Sequence, residues 1–349
     1  MTVEERSPMQ FEGIRPPHIH MGFSKDELML KTFLMLSIIA IGSSIIMGIN
    51  ALIHILTALG TVFVIHTLII SFQKWKKKPV SYDSYTSTLV AGMIVGLAMP
   101  IAGPFYITAA VALVTVLVFK FGQNWLFIRK YINPAAGAKT VLLGLLSIML
   151  FWEESLSIGQ LFHPHHLDLN LWTAEGFEAS MWIFQRVTIF GRDLSATASL
   201  LFWQTHGWIG GACGILVLIV GSIAVVWLRY KWRIVGSALL TMIGLAVVFG
   251  LIVRDDILLR ISFHVFTGSF IFMVFFMATE PQSTPLPEIS QIIFGVALAV
   301  ITFFLQLLNV LGGSIFALVL LNLATPFLDK IGFRKPYGFK SKKQRRSLR

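Results

Sequence analysis

The feature that most constrains this chain is a recurring apolar stretch close to the length of a membrane span. A hydrocarbon core of ~30 Å is crossed by roughly 20 apolar residues in a helix. Inside lipid every backbone N–H and C=O must find its partner within the segment, which a helix achieves by itself. About ten such spans are predicted on that rule. The first five lie near 31–49, 52–72, 85–100, 105–121 and 136–151, and the second five near 207–228, 233–253, 259–277, 289–307 and 311–327. The expected fold class is therefore an all-α polytopic membrane protein. Composition agrees: 56% of residues are hydrophobic and 13% charged, against about 25% charged in soluble domains.

The net charge of +11 does not point to nucleic acid, because the basic residues cluster in short loops and at the C-terminus. Lys74, Lys76, Lys77 and Lys78 follow the second span. Lys120, Arg129, Lys130 and Lys139 flank the connection from fourth to fifth. Arg229, Lys231 and Arg233 follow the sixth, and 340–349 is almost solidly basic. Counting alternate crossings, all four clusters share the side of the N-terminus, which the positive-inside bias makes cytoplasmic. The expected layout is a cytoplasmic segment over 1–30, a first membrane repeat over 31–151, an extracytoplasmic loop over 152–206, a second repeat over 207–328 and a basic cytoplasmic tail over 329–349. Both termini then lie inside a multi-pass protein of the cell inner membrane. The polar first residues hold no signal-peptide core, so the first span is expected to serve as the targeting signal. The single cysteine, Cys213, excludes an internal disulfide and any Cys-based iron–sulfur or zinc site.

The two halves echo each other. Ala98-Met99-Pro100 to Pro104 follows the third span and Asn133-Pro134-Ala135 enters the fifth. In the second half, Met277-Ala278-Thr279-Glu280-Pro281 follows the third span and Asn322 to Pro326 lies in the last. With five spans each, the repeats are inverted. Inverted repeats with Pro-interrupted helices place binding sites near mid-membrane, where broken helices expose backbone dipoles; alternatively, each Pro simply ends its helix.

Several motifs, taken in order, carry a resemblance. They are Pro17-His18-Ile19-His20; Gly122-Gln123-Asn124 with Tyr131-Ile-Asn-Pro-Ala-Ala136; Thr267-Gly-Ser-Phe with Phe276-Met-Ala-Thr-Glu280-Pro281; and Gly312-Gly-Ser-Ile-Phe-Ala-Leu with Asn322, Pro326 and Asp329. The ordered set resembles the RnfD/NqrB family, over nearly the whole chain. That family comprises the D subunit of the Rnf-type ferredoxin:NAD oxidoreductase and the B subunit of the sodium-pumping NADH:quinone oxidoreductase. The short segment before the first span favours the D subunit. The resemblance implies ten spans in two inverted halves, similar to urea channels. It also implies a subunit of an ion-translocating electron transport complex, coupled to Na+ or H+, with a second flavoprotein subunit as neighbour.

The family carries FMN joined through its phosphate to a threonine hydroxyl, in a motif resembling Asp-x-x-(Ser/Thr)-x-Ala-Thr, with a flavin-transferring enzyme making the bond. Here the pattern departs. Asp193-Leu-Ser-Ala-Thr197 has the Ala-Thr pair, with Thr197 closer to the aspartate than usual. Ser199, after Ala198, keeps the aspartate spacing. Thr197 is the favoured acceptor, Ser199 the alternative and Asp193 the motif acid, while helix capping by Ser195, Thr197 or Ser199 is the plain alternative. Trp203 and Trp208 are expected at the interface level. The quinone-reductase version would add quinone and noncovalent riboflavin sites. A channel or carrier for a small neutral solute, without flavin, is the rival from another class. His163, His165 and His166 read as a solvated loop, as do His18 and His20, and His264 inside the eighth span reads as a helix-packing hydrogen bond. Arg254-Asp255-Asp256 reads as an outer loop with a local ion pair. Neither a Rossmann glycine pattern, nor a Walker motif, nor a catalytic triad is visible, so the chain alone is expected to oxidise no NADH.

Overall fold

The computed structural model describes residues 25–76, 84–101, 103–126, 131–152, 171–181, 188–189, 192–193, 195–204, 207–228, 230–308, 310 and 312–332. His18, His20, His163, His165 and His166 lie outside the described residues. The first half contains α1 (Lys25–Met47), α2 (Ile49–Trp75), α3 (Tyr85–Leu97), α4 (Phe105–Val114, running on as a π-helix over Thr115–Gly122), a short α5 (Gln123–Leu126) and α6 (Pro134–Trp152). Between the halves come α7 (Ala174–Ser180), the two-residue strands β1 (Thr188–Ile189) and β2 (Arg192–Asp193), paired antiparallel, and α8 (Ala196–Phe202). The second half contains α9 (Gly214–Trp227), α10 (Trp232–Val253), α11 (Ile257–Phe266), α12 (Phe270–Phe276), α13 (Glu288–Leu307) and α14 (Gly313–Gly332).

Every predicted span contains helix, but α3 and α9 are shorter than a bilayer crossing. Among the described residues six helices are long and apolar enough to cross a bilayer: α1, α2, α4 with its extension, α10, α13 and α14. Large apolar side chains lie exposed on their outer faces, such as Ile45 (70% exposed), Leu240 (73%) and Ile252 (73%), as suits a lipid or protein neighbour rather than water. The span expected over 259–277 is not one helix. It is α11 and α12, bent by 52° at Thr267-Gly268-Ser269, where Gly268 takes φ +72, a conformation that costs glycine nothing. All of α12 is buried, so it occupies the interior. Conversely, Pro326 lies inside α14 and does not break it. The neighbouring Thr325 hydroxyl bonds the Leu321 and Ser283 carbonyls.

The packing repeats between halves. α2 packs on α3 and α4, and α4 on α6; likewise α10 packs on α11 and α13, and α13 on α14. Across the halves, α1 meets α9 and α6 meets α14. Between the halves, first helix thus meets first and last helix meets last. One face of the molecule carries the helix ends with Lys74, Lys76, Lys231, Arg233 and Lys330; there Arg233 pairs with Glu288 at 3.0 Å and Lys231 donates to Thr284 at 2.6 Å. The opposite face carries α7 with its exposed Glu175 and Glu178.

Without a hydrophobic force between helices in lipid, small residues at crossings let backbones approach. A Cβ on Gly295 of α13 would sit 2.5 Å from the Ile234 carbonyl oxygen of α10, backbone that cannot yield. Gly295→Ala is expected to lower stability by on the order of 2 kcal/mol through overpacking. Thermal unfolding in detergent measures it, and an unchanged midpoint would contradict so close a crossing.

Candidate functional site: the α8 segment and the two broken helices

The opening turn of α8 holds the candidate attachment residues. Ser195 is its N-cap, the hydroxyl accepting from the Ala198 N–H at 3.3 Å. The capping role therefore belongs to Ser195 alone of the three hydroxyls. Ala196, Ser199 and Leu200 are buried, at the i, i+3, i+4 spacing of one helix face, and α8 packs with α11 and α9. Residues two apart on a helix point about 200° from each other, so Thr197 and Ser199 cannot both face outward. Thr197 is partly exposed, and Ser199 is fully buried with no hydrogen-bond partner for its Oγ among the described residues. Asp193 lies in β2, its backbone in register with Thr188 of β1.

Gln204 fastens this segment to the interior. Its Nε2 donates to the Leu200 carbonyl at 2.6 Å and to the Phe266 carbonyl at 3.0 Å. The Phe266 carbonyl ends α11, where the break leaves helix carbonyls without their usual partners. Beyond Gln204 the chain runs through Trp208, whose backbone pairs with Pro100. Ile101 N–H donates to the Gly207 carbonyl at 3.3 Å and Ile209 N–H to the Met99 carbonyl at 3.0 Å. Trp208 is 7% exposed, so it is an interior residue rather than an interfacial one; Trp203 is partly exposed.

These contacts lie at mid-depth. At 1.5 Å per residue, α3 reaches roughly 20 Å and α11 roughly 15 Å from opposite faces of a ~30 Å core. Trp208 links their ends: a Cβ on Gly268 would lie 3.7 Å from its indole Nε1. Above the ring sits Lys139, with Nζ 3.1 Å from the ring centroid, donating to the Ala98 carbonyl. Lys139 and Lys120 are 2% and 1% exposed. Neither belongs to a solvated basic loop: Lys120 donates to Ser87 at 2.9 Å.

The motif residues of the resemblance find local reasons. Gln123 accepts from the Tyr131 and Ile132 N–H groups at 3.0 and 3.1 Å and donates to the Phe119 and Ile132 carbonyls, closing the connection into α6. Asn133 caps α6 through the Ala135 and Ala136 N–H groups, ahead of Pro134, and reaches the Met277 carbonyl at 3.2 Å. Ser269 and Ser314 share a buried bond of 2.9 Å, and Asp329 accepts from Leu286 N–H at 3.0 Å. His264 pairs with Gln306 at 2.8 Å, a bond between helices as expected. Asp256 caps α11, while Asp255 forms a fully buried ion pair with Arg260 instead of an exposed loop contact.

Comparison with known proteins bears on nearly all of this chain. The D subunit of the Na(+)-translocating ferredoxin:NAD(+) oxidoreductase complex of Acetobacterium woodii is 26% identical over 279 residues, covering 76% of this chain and 77% of its own. The D subunit of the proton-translocating ferredoxin:NAD(+) oxidoreductase complex of Clostridium ljungdahlii is 22% identical, covering 93% and 94%. The B subunit of the Na(+)-translocating NADH-quinone reductase of Ectopseudomonas mendocina is 30% identical over a shorter stretch, covering 36% and 32%. The model of the NQR2, RnfD, RnfE family matches residues 14–338, and the chain belongs to that family.

Proposed function

We propose that this chain is the D-type membrane subunit of an ion-translocating ferredoxin:NAD oxidoreductase complex, and that it carries FMN as a phosphoester on Thr197. The observation that carries the reading is the geometry of α8: Thr197 is presented outward between two alanines, and Ser199 is sealed inward. A hydroxyl acceptor must be reachable, and the small Ala196 and Ala198 side chains leave room for a transferring enzyme. The bound flavin would supply electron transfer between neighbouring redox subunits, among them a second flavoprotein. The chain's own part is to fix the attachment point, which Ser195 does by capping α8 and Gln204 by tying it to α11. Coverage favours the D-type reading over the quinone-reductase B type, since the two D-type relatives above match over 76% and 93% of the chain where the B-type relative matches over 36%. A denaturing gel of the chain, made alongside a flavin-transferring enzyme, is expected to show a flavin-fluorescent band. Peptide mass spectrometry is expected to place the added mass on Thr197. An unmodified peptide over 195–204 would remove the covalent flavin, and a mass on Ser199 would reverse the choice of acceptor.

The basic face is proposed to be cytoplasmic, on the positive-inside bias, and the face bearing α7 to be outside the inner membrane. A cysteine replacing the exposed Glu175 is expected to react with an impermeant thiol reagent in intact cells. Labelling only after lysis would invert the orientation.

A further inference from the structure

Two helices break at mid-depth, and their terminal carbonyls are capped differently. At the end of α11, the Phe266 carbonyl takes its bond from the neutral amide of Gln204. At the end of α3, the Ala98 carbonyl takes its bond from the ammonium of Lys139. The Met277 carbonyl beyond α12 is likewise served by an amide, that of Asn133. Capping therefore requires no charge in this fold. Yet Lys139 is 2% exposed, within the membrane, where a charged side chain is expensive and usually functional. Among the described residues no carboxylate pairs with it; the ion pairs there join Lys31 to Glu27, Arg233 to Glu288 and Arg260 to Asp255. What surrounds the ammonium is instead what a cation prefers: a helix-end carbonyl oxygen and, 3.1 Å away, the face of an indole. The Trp208 that supplies this face also abuts Gly268 at the other break.

We propose that the Ala98 carbonyl and the Trp208 ring form a site for a monovalent cation where the two broken helices meet. The Lys139 ammonium fills this site and bars it, and a transported cation passes by displacing that ammonium, which withdraws on its four-carbon stem. This rests on the reading of the chain as part of an ion-translocating complex, and it assigns that transport a position and a gate. Charge is conserved at the site, one cation leaving as another arrives.

The test uses membrane vesicles containing the assembled complex, with no electron donor supplied and an imposed inside-negative potential. Uptake of radiolabelled sodium is followed beside proton influx, read by an internal pH dye, and radiolabelled chloride uptake. Lys139→Met is expected to raise sodium or proton influx about tenfold, as loss of a charge barrier does in a pore, with chloride unchanged. Lys139→Arg, which keeps the charge, is expected to remain tight. Whichever cation enters identifies the one the site admits. Lys139→Met vesicles as tight as wild type would overturn the proposal, as would sodium and chloride rising together, which marks general damage. Should the methionine variant fail to assemble, Lys139→Gln retains a cap like that of Gln204 and is expected to leak in the same way; tight glutamine vesicles would equally overturn it. Because no electron transfer is involved, a wild-type chain without flavin would sink the redox reading and leave this result legible.

Discussion

Thr197→Ala is expected to abolish flavin fluorescence on a denaturing gel while the protein still inserts and assembles at wild-type levels. The side chain is partly exposed on the outward face of α8, and substitutions at such positions usually change stability by no more than about 0.5 kcal/mol. Removing the Thr197 hydroxyl takes away the acceptor without touching the Ser195 cap or the buried contacts of Ser199 and Leu200. Ser199→Ala serves as the counterpart. Its Oγ is buried without a partner among the described residues, so replacing it by a methyl group should leave fluorescence intact. Burying an unbonded hydroxyl costs on the order of 1 kcal/mol, so the variant should be no less stable. Fluorescence retained in Thr197→Ala and lost in Ser199→Ala would invert the assignment.

Arg260→Met should produce the largest stability loss of any single change considered. Both side chains of the Arg260–Asp255 pair are fully buried. Arg260 also donates to the Leu171 carbonyl at 2.8 Å and lies 3.8 Å over the Phe177 ring. It therefore anchors the segment containing α7 to α11. Removing one member of a buried pair leaves the other charge uncompensated, at a cost of about 3–5 kcal/mol. Thermal unfolding in detergent should show a large drop in midpoint, and limited proteolysis should cut near Leu171. Adding Asp255→Asn to Arg260→Met removes the stranded charge and should recover part of the loss, the signature of direct coupling. A single variant as stable as wild type would show that the pair contributes nothing net.

Membrane class is legible because hydropathy over twenty residues reports a physical requirement that tertiary contacts do not override, although among the described residues six helices, or seven with the bent pair, meet the length of a span where ten are expected. The same averaging hides the break in α11–α12. Both half-helices are apolar, so 259–277 reads as one span, and only the Thr267-Gly268-Ser269 triplet inside it signals otherwise. Pro281 and Pro326 draw attention instead, although one follows the bend and the other sits within a continuous helix. Lys139 groups with a loop when judged by its distance along the chain from Arg129 and Lys130. Yet the span predicted over 136–151 already encloses it, and a lysine inside a span is a stronger signal than a lysine near one. The choice between Thr197 and Ser199 stays open in sequence because 191–201 reads as a loop. Once Ser195 is seen to cap a helix, the 100° step per residue separates the two hydroxyls. Side chains reaching across the fold, such as Gln204 to Phe266 and Asn133 to Met277, leave no mark in local sequence.

Gln204 has a mechanical consequence. Its amide grips the last turn of α8 and the last carbonyl of α11 together, and its own N–H is held by the Ala212 carbonyl at 2.8 Å. The described parts of 195–212 are thus pinned at both ends and in the middle, a short strut between the outward-facing Thr197 and the interior Trp208. Moving α8 therefore loads the last carbonyl of α11 directly through the Gln204 side chain, and the turn at Ala212 through its N–H.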